Sequence, residues 1–403
     1  MPPFRRAPLE GRLEPKEPPP DRMRPASALL PRILPLSLLA SAVPLAPASA
    51  AQKRDFIVTV EGKRVAVDEV LADSFPEVRY KLGGAEKAIP ASQVVRIEYR
   101  DEPPALRQAR GKREAGDPDA ALRAYALAKE TAGARPWLAE TVAFETADAL
   151  EQWGALDVRR TTEAAEAYAK FAEAYPSSRR LPDALLGRAR CLRTLKQFDP
   201  AAALFDEVAK RGTSLGEAVE LEAVYERAVT MLAAGRAGEA RGGLKALEGR
   251  IVGMNAGGAA HAPLLARARL AQGDCILAAG DPEEARAHFR RLSAEAGADA
   301  RLRYGARAGE GEALLAQGKV REALLAFAEV IALEPAGLPG TPRATYLAGE
   351  CYRRLVGLEP DAERTAAQYF KEVADLFPAS PWAARAKAAL GTIPGTEKAE
   401  KKP

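Results

Sequence analysis

The side chains best suited to chemistry are few in this sequence and stand apart from one another. His261 and His288 are the only histidines, and neither belongs to a Cys/His cluster with metal-ligand spacing. We therefore expect both to be solvated or partly packed rather than ligands or acid-base groups. Cys191, Cys275 and Cys351 also lack a nearby second Cys or His. This isolation favours small buried side chains over a redox or metal role.

A phosphate-binding loop or a catalytic pair is equally hard to find. The glycine-rich stretch from Gly253 to Gly258 lacks the Gly-Lys-Ser/Thr ending that cradles phosphate, and it predicts a flexible connection. No nucleophile-base pair or metal cluster appears in the linear sequence. The sequence thus predicts a protein that is not an enzyme and uses no metal or cofactor. Activity retained in a pure, metal-free sample would revive the enzyme hypothesis.

Composition sets the broad class. The chain has 403 residues, 47% of them hydrophobic and 28% charged, which is typical of a soluble globular protein. Aromatic residues make up only 6% and alanine is abundant, which suits closely packed helices better than a large sheet. The net charge is +4, and most of the excess lies in residues 1–50. This balance argues against a general nucleic-acid or anionic-membrane binder.

Residues 1–50 have the composition of a leader segment. Residues 1–22 are rich in proline and charge and predict disorder. From Met23 the chain reads as a basic start, a short apolar stretch and the ending Ala48-Ser49-Ala50. This order resembles a bacterial secretory signal peptide cut after Ala50, with either Met1 or Met23 as the start. A merely disordered Ala/Pro-rich leader is the alternative.

Residues 1–50 also indicate where in the cell the protein is expected to reside. Their apolar stretch is too short, and too interrupted by Pro35 and Pro44, to make a good membrane span. We therefore expect no span after the signal is removed. The protein is predicted to be exported, and to reside in the periplasm or cell envelope.

Residues 51–103 change to an alternating pattern. Three sets of alternating side chains indicate strands: Phe56, Val58 and Val60; Val78, Tyr80 and Leu82; Val95, Ile97 and Tyr99. Gly62 and the pair Gly83-Gly84 separate them as turn residues. Four or five short antiparallel strands predict a small SH3-like β roll or barrel. We interpret this β domain as a structural cap on the remainder of the chain, with a peptide or cell-wall ligand groove as the alternative.

Residues 104–390 repeat a helical pattern. Gly311 to Val330 shows it best, with a small residue, a turn glycine, a second small residue and then apolar bulk. Seven alanines can be aligned, each followed four residues later by an aromatic residue or leucine. The alanines are Ala121, Ala164, Ala201, Ala240, Ala285, Ala323 and Ala366. The recurrence predicts seven helix pairs and then a closing helix, with residues 391–403 as a flexible tail.

These motifs resemble the tetratricopeptide repeat (TPR) family. The resemblance implies a mainly α fold, a right-handed α-solenoid of TPR-like helix pairs preceded by the small antiparallel β roll or barrel. The aligned alanines are 37 to 45 residues apart, longer than the family period of about 34, so exact repeat boundaries stay open. Within the family, Ala165 to Ser178 is similar to exported bacterial TPR proteins of envelope assembly.

The family also indicates which residues face a groove. In TPR arrays the first helices line a concave surface, and four positions of each repeat point into it. Carried onto this sequence, those positions give Arg190, Arg193, Tyr225, Asp274, Glu312, Tyr346, Glu350 and Arg353. Tyrosine and arginine are typical anchors in protein interfaces. An ordinary solvated helix face is the alternative.

The resemblance excludes one kind of partner and favours another. TPR domains that clamp a carboxyl terminus use groove asparagines, whereas the only asparagine here is Asn255, in a loop. We expect a non-catalytic scaffold or adaptor of the cell envelope that binds a protein or peptide in its groove. The alternative is a cell-wall or carbohydrate-binding protein that recognises its ligand through the β domain. Partner identity and oligomeric state are not indicated.

Overall fold

The computed structural model describes residues 54–131, 136–154, 157–211, 215–254, 260–295, 300–334, 340–378 and 380–393. The predicted leader and signal peptide, Asn255 and most of the predicted tail lie outside the described residues. Within the described ranges, no helix is long and apolar enough to cross a membrane.

The N-terminal part is a small β domain. Its six strands form two three-stranded antiparallel sheets, with strand orders β2-β1-β6 and β3-β4-β5. The strands are β1 (Asp55–Thr59), β2 (Arg64–Val67), β3 (Glu69–Asp73), β4 (Glu77–Leu82), β5 (Ala85–Pro90) and β6 (Val94–Glu98). Gly62, Gly83 and Gly84 all have positive φ in the turns between strands, as expected of turn glycines.

The two sheets share one small core, centred on Ile57, Val78 and Ile97. A register shift lies where β1 pairs with β6, since Val58 faces Arg96 while Thr59 faces Val94. Val95 is the extra residue of this β-bulge, and it is turned outward with 56% of its surface exposed. Simple alternation placed Val95 on the face of Ile97, and the bulge is why it lies elsewhere.

The rest of the described chain is helical. Fifteen helices form seven consecutive pairs and a closing helix. They are α1 (Pro104–Glu114), α2 (Pro118–Glu130), α3 (Pro136–Gly154), α4 (Val158–Ala174), α5 (Leu181–Thr194), α6 (Phe198–Lys210), α7 (Glu217–Ala233), α8 (Ala237–Gly253), α9 (Ala262–Ala278), α10 (Pro282–Glu295), α11 (Ala300–Ala316), α12 (Val320–Leu333), α13 (Gly340–Arg354), α14 (Ala362–Leu376) and α15 (Pro381–Leu390). The chain is therefore a helical solenoid preceded by a small antiparallel β domain, as the sequence predicts.

Each pair is packed by the small and aromatic residues of the repeat pattern. The seven aligned alanines are all completely buried, and so are the bulky residues four positions later, at most 1% exposed. In the fifth, sixth and seventh pairs the first helix contributes a glycine. A methyl group added at Gly273, Gly311 or Gly349 would come within 2.4 to 2.7 Å of the aromatic ring of the second helix. Only glycine lets these helices approach so closely.

The turns inside the pairs also depend on glycine. Gly116, Gly235, Gly280 and Gly318 adopt φ of +72° to +87° directly after the first helix of their pairs. Lys196 takes the equivalent place in the third pair with φ of +60°, a conformation that costs a residue with a side chain free energy.

The β domain docks on the second and third helix pairs. Arg179, in the turn between α4 and α5, forms a bidentate ion pair with Asp73 at the end of β3, and both side chains are only 10% exposed. Arg179 also donates to the Val94 carbonyl at 3.1 Å. Tyr99 stacks on Trp137 of α3 with ring centroids 3.9 Å apart. The domain and the solenoid therefore share a packed, ion-paired boundary.

The first helices of the pairs line the inner side of the solenoid. Besides packing within its pair, each first helix from α3 to α13 packs against the first helix that precedes or follows it along the array, and α15 continues the series. The inner side of a curved stack is where neighbouring units come closest. The inner surface is thus built from α3, α5, α7, α9, α11 and α13, and α1 joins it through the ion pairs of Arg110 with Glu145 and of Arg113 with Asp148 on α3.

Candidate partner-binding groove

All eight residues predicted to face the groove lie on first helices. Arg190 and Arg193 belong to α5, Tyr225 to α7, Asp274 to α9, Glu312 to α11, and Tyr346, Glu350 and Arg353 to α13. These eight residues differ in their contacts. Some of the side chains bind residues of neighbouring repeats, and others border a cavity.

Arg190 is bound to the preceding repeat. Its Nε lies 2.6 Å from Oε1 of Glu151 on α3, and its Nη2 lies 3.0 Å from Oε2. The hydroxyl of Tyr168 donates to the same Oε2 at 2.8 Å. Glu151 is thus held by two donors, and Arg190 has little left to offer a ligand.

Arg193 and Tyr225 are also engaged from within the fold. Arg193 donates to the carboxylate of Glu226 on α7, which is only 7% exposed. The guanidinium of Arg267 on α9 lies over the ring of Tyr225, 4.1 Å from its centroid. Arg267 also forms two hydrogen bonds of 2.8 and 2.9 Å with Glu222. Burial raises the pKa of Tyr225.

Asp274 and Glu312 share a single cation. Arg343 of α13 donates to Oδ1 of Asp274 at 2.8 Å and, through Nε, to Oε2 of Glu312 at 3.0 Å. One guanidinium therefore ties α13 to both α11 and α9. Attraction to the two carboxylates raises the pKa of Arg343 despite its burial, so it stays charged.

The intramolecular partners were missed by sequence reasoning, although the sequence does hold a signal for them. Arg190 and Glu151 are 39 residues apart, Arg193 and Glu226 are 33 apart, and Arg343 and Glu312 are 31 apart. Opposite charges separated by about one repeat, on consecutive first helices, are positioned to pair. Partners at this spacing mark groove residues that hold the solenoid together.

A cavity of about 360 Å³ lies among α9, α11 and α13, and we call it the C-terminal pocket. Three of the predicted groove residues border it: Glu312, Tyr346 and Glu350. The remainder of its lining is Leu277, Leu315, Ala316, Leu347 and Arg354. The pocket therefore combines an apolar floor with a tyrosine and two carboxylates.

The polar groups of the C-terminal pocket are held in place. Tyr346 packs between Phe370 and Trp382, with ring centroids 5.4 and 5.3 Å away. Burial raises the pKa of the Tyr346 hydroxyl, and the charge of Glu350 adds to this effect. Arg353 donates to Oε2 of Glu350, whereas Oε1 is buried without a hydrogen-bond partner among the described residues.

A second cavity, of about 530 Å³, lies at the other end of the inner surface, and we call it the N-terminal recess. It is bounded by Val95 of β6 and by side chains of α1, α3, α5 and the turn before α5. Its charged lining comprises Arg110, Arg113, Glu114, Glu145, Asp148, Arg179, Arg180 and Asp183. Sequence reasoning singled out none of these residues.

The structure shows how one histidine and the three cysteines are packed. His288 contacts the Arg269 carbonyl through Nε2 at 2.9 Å, so it is partly packed as expected. All three cysteines are free and buried, and burial raises the pKa of the Cys275 thiol to about 11. In the part of the chain that the structure describes, no group of three His, Cys, Asp or Glu side chains is arranged to hold a metal ion.

Comparison with known proteins agrees with this architecture. Residues 153–216 and 309–381 match the family model for the tetratricopeptide repeat. In these two segments the solenoid resembles the tetratricopeptide repeat. The matched segments include α5 and α6 in the first case and α12 to α14 in the second, so each contains a whole TPR-like pair. No curated protein matches the sequence.

Several solved structures resemble the TPR-like solenoid. A tetratricopeptide repeat protein from Parabacteroides merdae is 16% identical with a TM-score of 0.49, over 71% of this chain and 96% of that one. NprR in complex with its cognate peptide NprX is 12% identical with a TM-score of 0.44, over 74% and 88%. Rap protein complexed with competence and sporulation factor is 14% identical with a TM-score of 0.40, over 72% and 96%. These likenesses are of architecture alone.

Proposed function

We propose that this protein is a non-catalytic scaffold or adaptor that holds a segment of a protein partner along the inner surface of its solenoid. The observation that carries the proposal is the C-terminal pocket, where Glu312, Tyr346 and Glu350 from consecutive repeats border one cavity. Tyrosine in a partly apolar pocket is typical of the few residues that dominate binding energy. Its volume lies near the lower end of the ~300–1,000 Å³ common for ligand pockets.

The chemistry of the pocket favours a peptide over a small charged ligand. The leucines of α9, α11 and α13 offer an apolar floor for one side chain of the partner. The carboxylates of Glu312 and Glu350, which both line the pocket, offer acceptors for a backbone N–H or a side-chain donor. An extended or helical segment presents both kinds of group at regular spacing.

We further propose that the partner belongs to the bacterial cell envelope. The support comes from the sequence of residues 1–50, which resembles a secretory signal, and from Ala165 to Ser178, which is similar to exported envelope TPR proteins. A β domain that recognises a cell-wall ligand finds less support, because Asp73, Val94 and Tyr99 are used for docking on the solenoid.

Substitution of Tyr346 tests the proposed groove. Partners are captured from the native envelope with the full chain and identified, and the affinity of the purified partner is then measured. Tyr346→Ala is expected to weaken binding by about 2 kcal/mol or more, because the tyrosine anchors the pocket.

Tyr369→Ala is the matched control. Tyr369 stacks on Tyr352 in the same helix pair, with ring centroids 5.6 Å apart, and does not border the pocket. It should leave the affinity unchanged while both variants keep their helical circular dichroism. Equal affinities for wild type and Tyr346→Ala would show that the partner binds elsewhere.

A further inference from the structure

Three groups of charged side chains brace the inner surface, and in each of them one central residue binds opposite charges from two other parts of the array. In the first group the centre is Glu145 of α3. Its carboxylate lies 2.7 Å from Nη2 of Arg110 on α1 and 3.8 Å from Nη1 of Arg180, which directly precedes α5. We call such a group a charged bridge.

The other two charged bridges continue the series along the array. Glu226 of α7 is the centre of the second, and it accepts hydrogen bonds from Arg193 of α5 and, at 3.4 Å, from Arg267 of α9. Arg343 of α13 is the centre of the third and binds one carboxylate each on α11 and α9. Because the first and second bridges meet at α5, and the second and third meet at α9, they connect all the first helices from α1 to α13.

The charges of the two cavities are balanced as well. The lining of the N-terminal recess contains four arginines and four carboxylates. Three arginines and three carboxylates line the C-terminal pocket or are ion-paired next to it: Arg343, Arg353, Arg354, Asp274, Glu312 and Glu350. Neither cavity therefore presents an excess of one charge to a ligand.

A charged side chain of a partner gains little from such a surface. To reach an opposite charge at a bridge it would have to displace a guanidinium or a carboxylate that is already bound. That exchange replaces one ion pair by another and leaves the displaced group without its partner. An uncompensated charge is strongly destabilising where it is buried, as the central carboxylate of Glu226 is.

Uncharged side chains are partly exposed next to these ion pairs. Phe144 of α3 lines the N-terminal recess, while Leu277 of α9 and Tyr346 of α13 line the C-terminal pocket. Tyr225 belongs to α7, between the helices of the two cavities. All four side chains are only partly buried. They offer apolar contact area on four of the first helices, and tyrosine is typical of the residues that dominate binding energy.

We infer that the segment held along the inner surface is uncharged where it contacts the solenoid, and that its apolar side chains pack on these partly exposed groups. This inference rests on the proposed function and names the chemistry of the partner. The backbone N–H groups of the segment can still donate to the paired carboxylates, because each oxygen has two lone pairs. Binding of such a segment depends little on salt, since no free charges are brought together.

A random peptide library selected on the full chain is the direct probe. The same selection is run on Tyr346→Ala, and the peptides enriched only on the wild type are sequenced. They should carry apolar residues at recurring positions, with lysine, arginine, aspartate and glutamate rarer than in the starting library. Their affinity for the wild type should differ by less than about twofold between low and high salt.

Two substitutions that unbalance the charged bridges should open the surface to charged peptides. Arg343→Met leaves two carboxylates without their guanidinium, and it should bind end-blocked tetra-arginine about tenfold more tightly than the wild type does. Glu226→Gln leaves Arg193 without its carboxylate, and it should show a similar gain for end-blocked tetraglutamate. Opposite preferences in the two variants separate released charge from partial unfolding, and circular dichroism checks that both are folded.

Arg321→Met and Glu220→Gln are the matched controls. Each makes the same change of charge at an ion pair outside the three bridges. Arg321 of α12 pairs with Glu359, and Glu220 of α7 pairs with Arg250 of α8. Both control variants should bind the charged peptides as the wild type does.

Two results would overturn the inference. One is a charged residue at a recurring position of the peptides that depend on Tyr346. The other is binding of tetra-arginine or tetraglutamate to the wild type as tight as to the corresponding variant. Failure of the proposed function has a different outcome, because neither the selected peptides nor the captured partner would then depend on Tyr346.

Discussion

The two cavities of the inner surface are formed by the same kind of helix, yet their side chains differ in what they can still bind. In the N-terminal recess every arginine is paired within the fold. In the C-terminal pocket Tyr346 and Leu277 stay partly exposed. Facing the groove therefore does not by itself make a residue available. Its availability depends on whether a neighbouring repeat has already bound it.

The neighbours of each cavity account for this difference. The N-terminal recess adjoins the β domain, which is attached through charged groups such as Asp73 and Arg179. The C-terminal pocket adjoins the closing helix α15, which is attached through apolar packing of Trp382 and Ala386 against α14. Charged side chains therefore dominate the lining of the N-terminal recess, whereas leucine, alanine and tyrosine make up most of the lining of the C-terminal pocket.

The largest expected effect comes from breaking the charged end. Arg179→Ala would leave the carboxylate of Asp73 buried and unpaired and would remove the hydrogen bond to the Val94 carbonyl. We expect a loss of about 3–5 kcal/mol in the free energy of unfolding, the usual cost of removing one partner of a buried ion pair. Urea denaturation followed by circular dichroism measures it.

Arg79→Ala provides the comparison for Arg179→Ala. Arg79 pairs with Glu86 on the surface of the β domain, and both side chains are more than half exposed. Its loss should cost less than about 1 kcal/mol. Similar losses for the two variants would mean that the Asp73–Arg179 pair does not hold the β domain on the solenoid.

A smaller effect is expected from disturbing the aromatic end. In Gly349→Val the new side chain would collide with the ring of Phe370, since even a methyl carbon would lie 2.7 Å from it. Phe370 is fully buried and contacts Tyr346, so the collision would also disturb the C-terminal pocket. We expect about 1–3 kcal/mol of destabilisation from overpacking, measured by the same urea titration.

Gly242→Val tests whether the effect of Gly349→Val is due to packing. Gly242 lies within α8 with open space where a side chain would project. Valine there should leave stability unchanged or raise it by less than about 1 kcal/mol, because glycine is a poor helix former. A comparable loss at both positions would point to backbone effects and away from the Phe370 contact.

The smallest expected effect is a pH dependence near the charged end. Burial raises the pKa of Glu140, on α3, although a 2.6 Å hydrogen bond from Ser178 opposes the rise. The folded state should therefore take up a proton at Glu140 before the unfolded chain does as the pH falls from 7 toward about 4.5. Over that window the wild type should gain unfolding free energy relative to Glu140→Gln. A difference between the two proteins that is constant with pH would contradict this assignment.

Most of the fold was predictable because its packing repeats. The buried alanine at Ala323 and the large buried side chain at Phe327 have counterparts in every pair, so a short pattern defines the interface. The strands of the β domain were predictable from alternation, but the bulge at Val95 was not. A bulge depends on the register in which two strands pair, and the sequence of one strand does not specify that register.

The candidate site was predictable only in part. Family positions placed Tyr346 and Glu350 on the first helices, where they border a cavity. The same positions did not reveal that Arg190 is bound by Glu151, because that contact depends on how successive repeats are stacked. The N-terminal recess could not be predicted for a related reason, because it forms only where the β domain contacts helices far along the chain.

The contact of Arg343 with two other helices bears on the mechanics of the solenoid. In most repeat arrays each unit touches only its immediate neighbours, so bending can occur independently at every junction. Arg343 of α13 reaches past α11 to Asp274 on α9 and couples two successive junctions. The array is consequently stiffer around the C-terminal pocket than a chain of independent hinges would be. A segment bound there meets walls whose spacing is already set, and little binding energy is lost in bending the protein to fit.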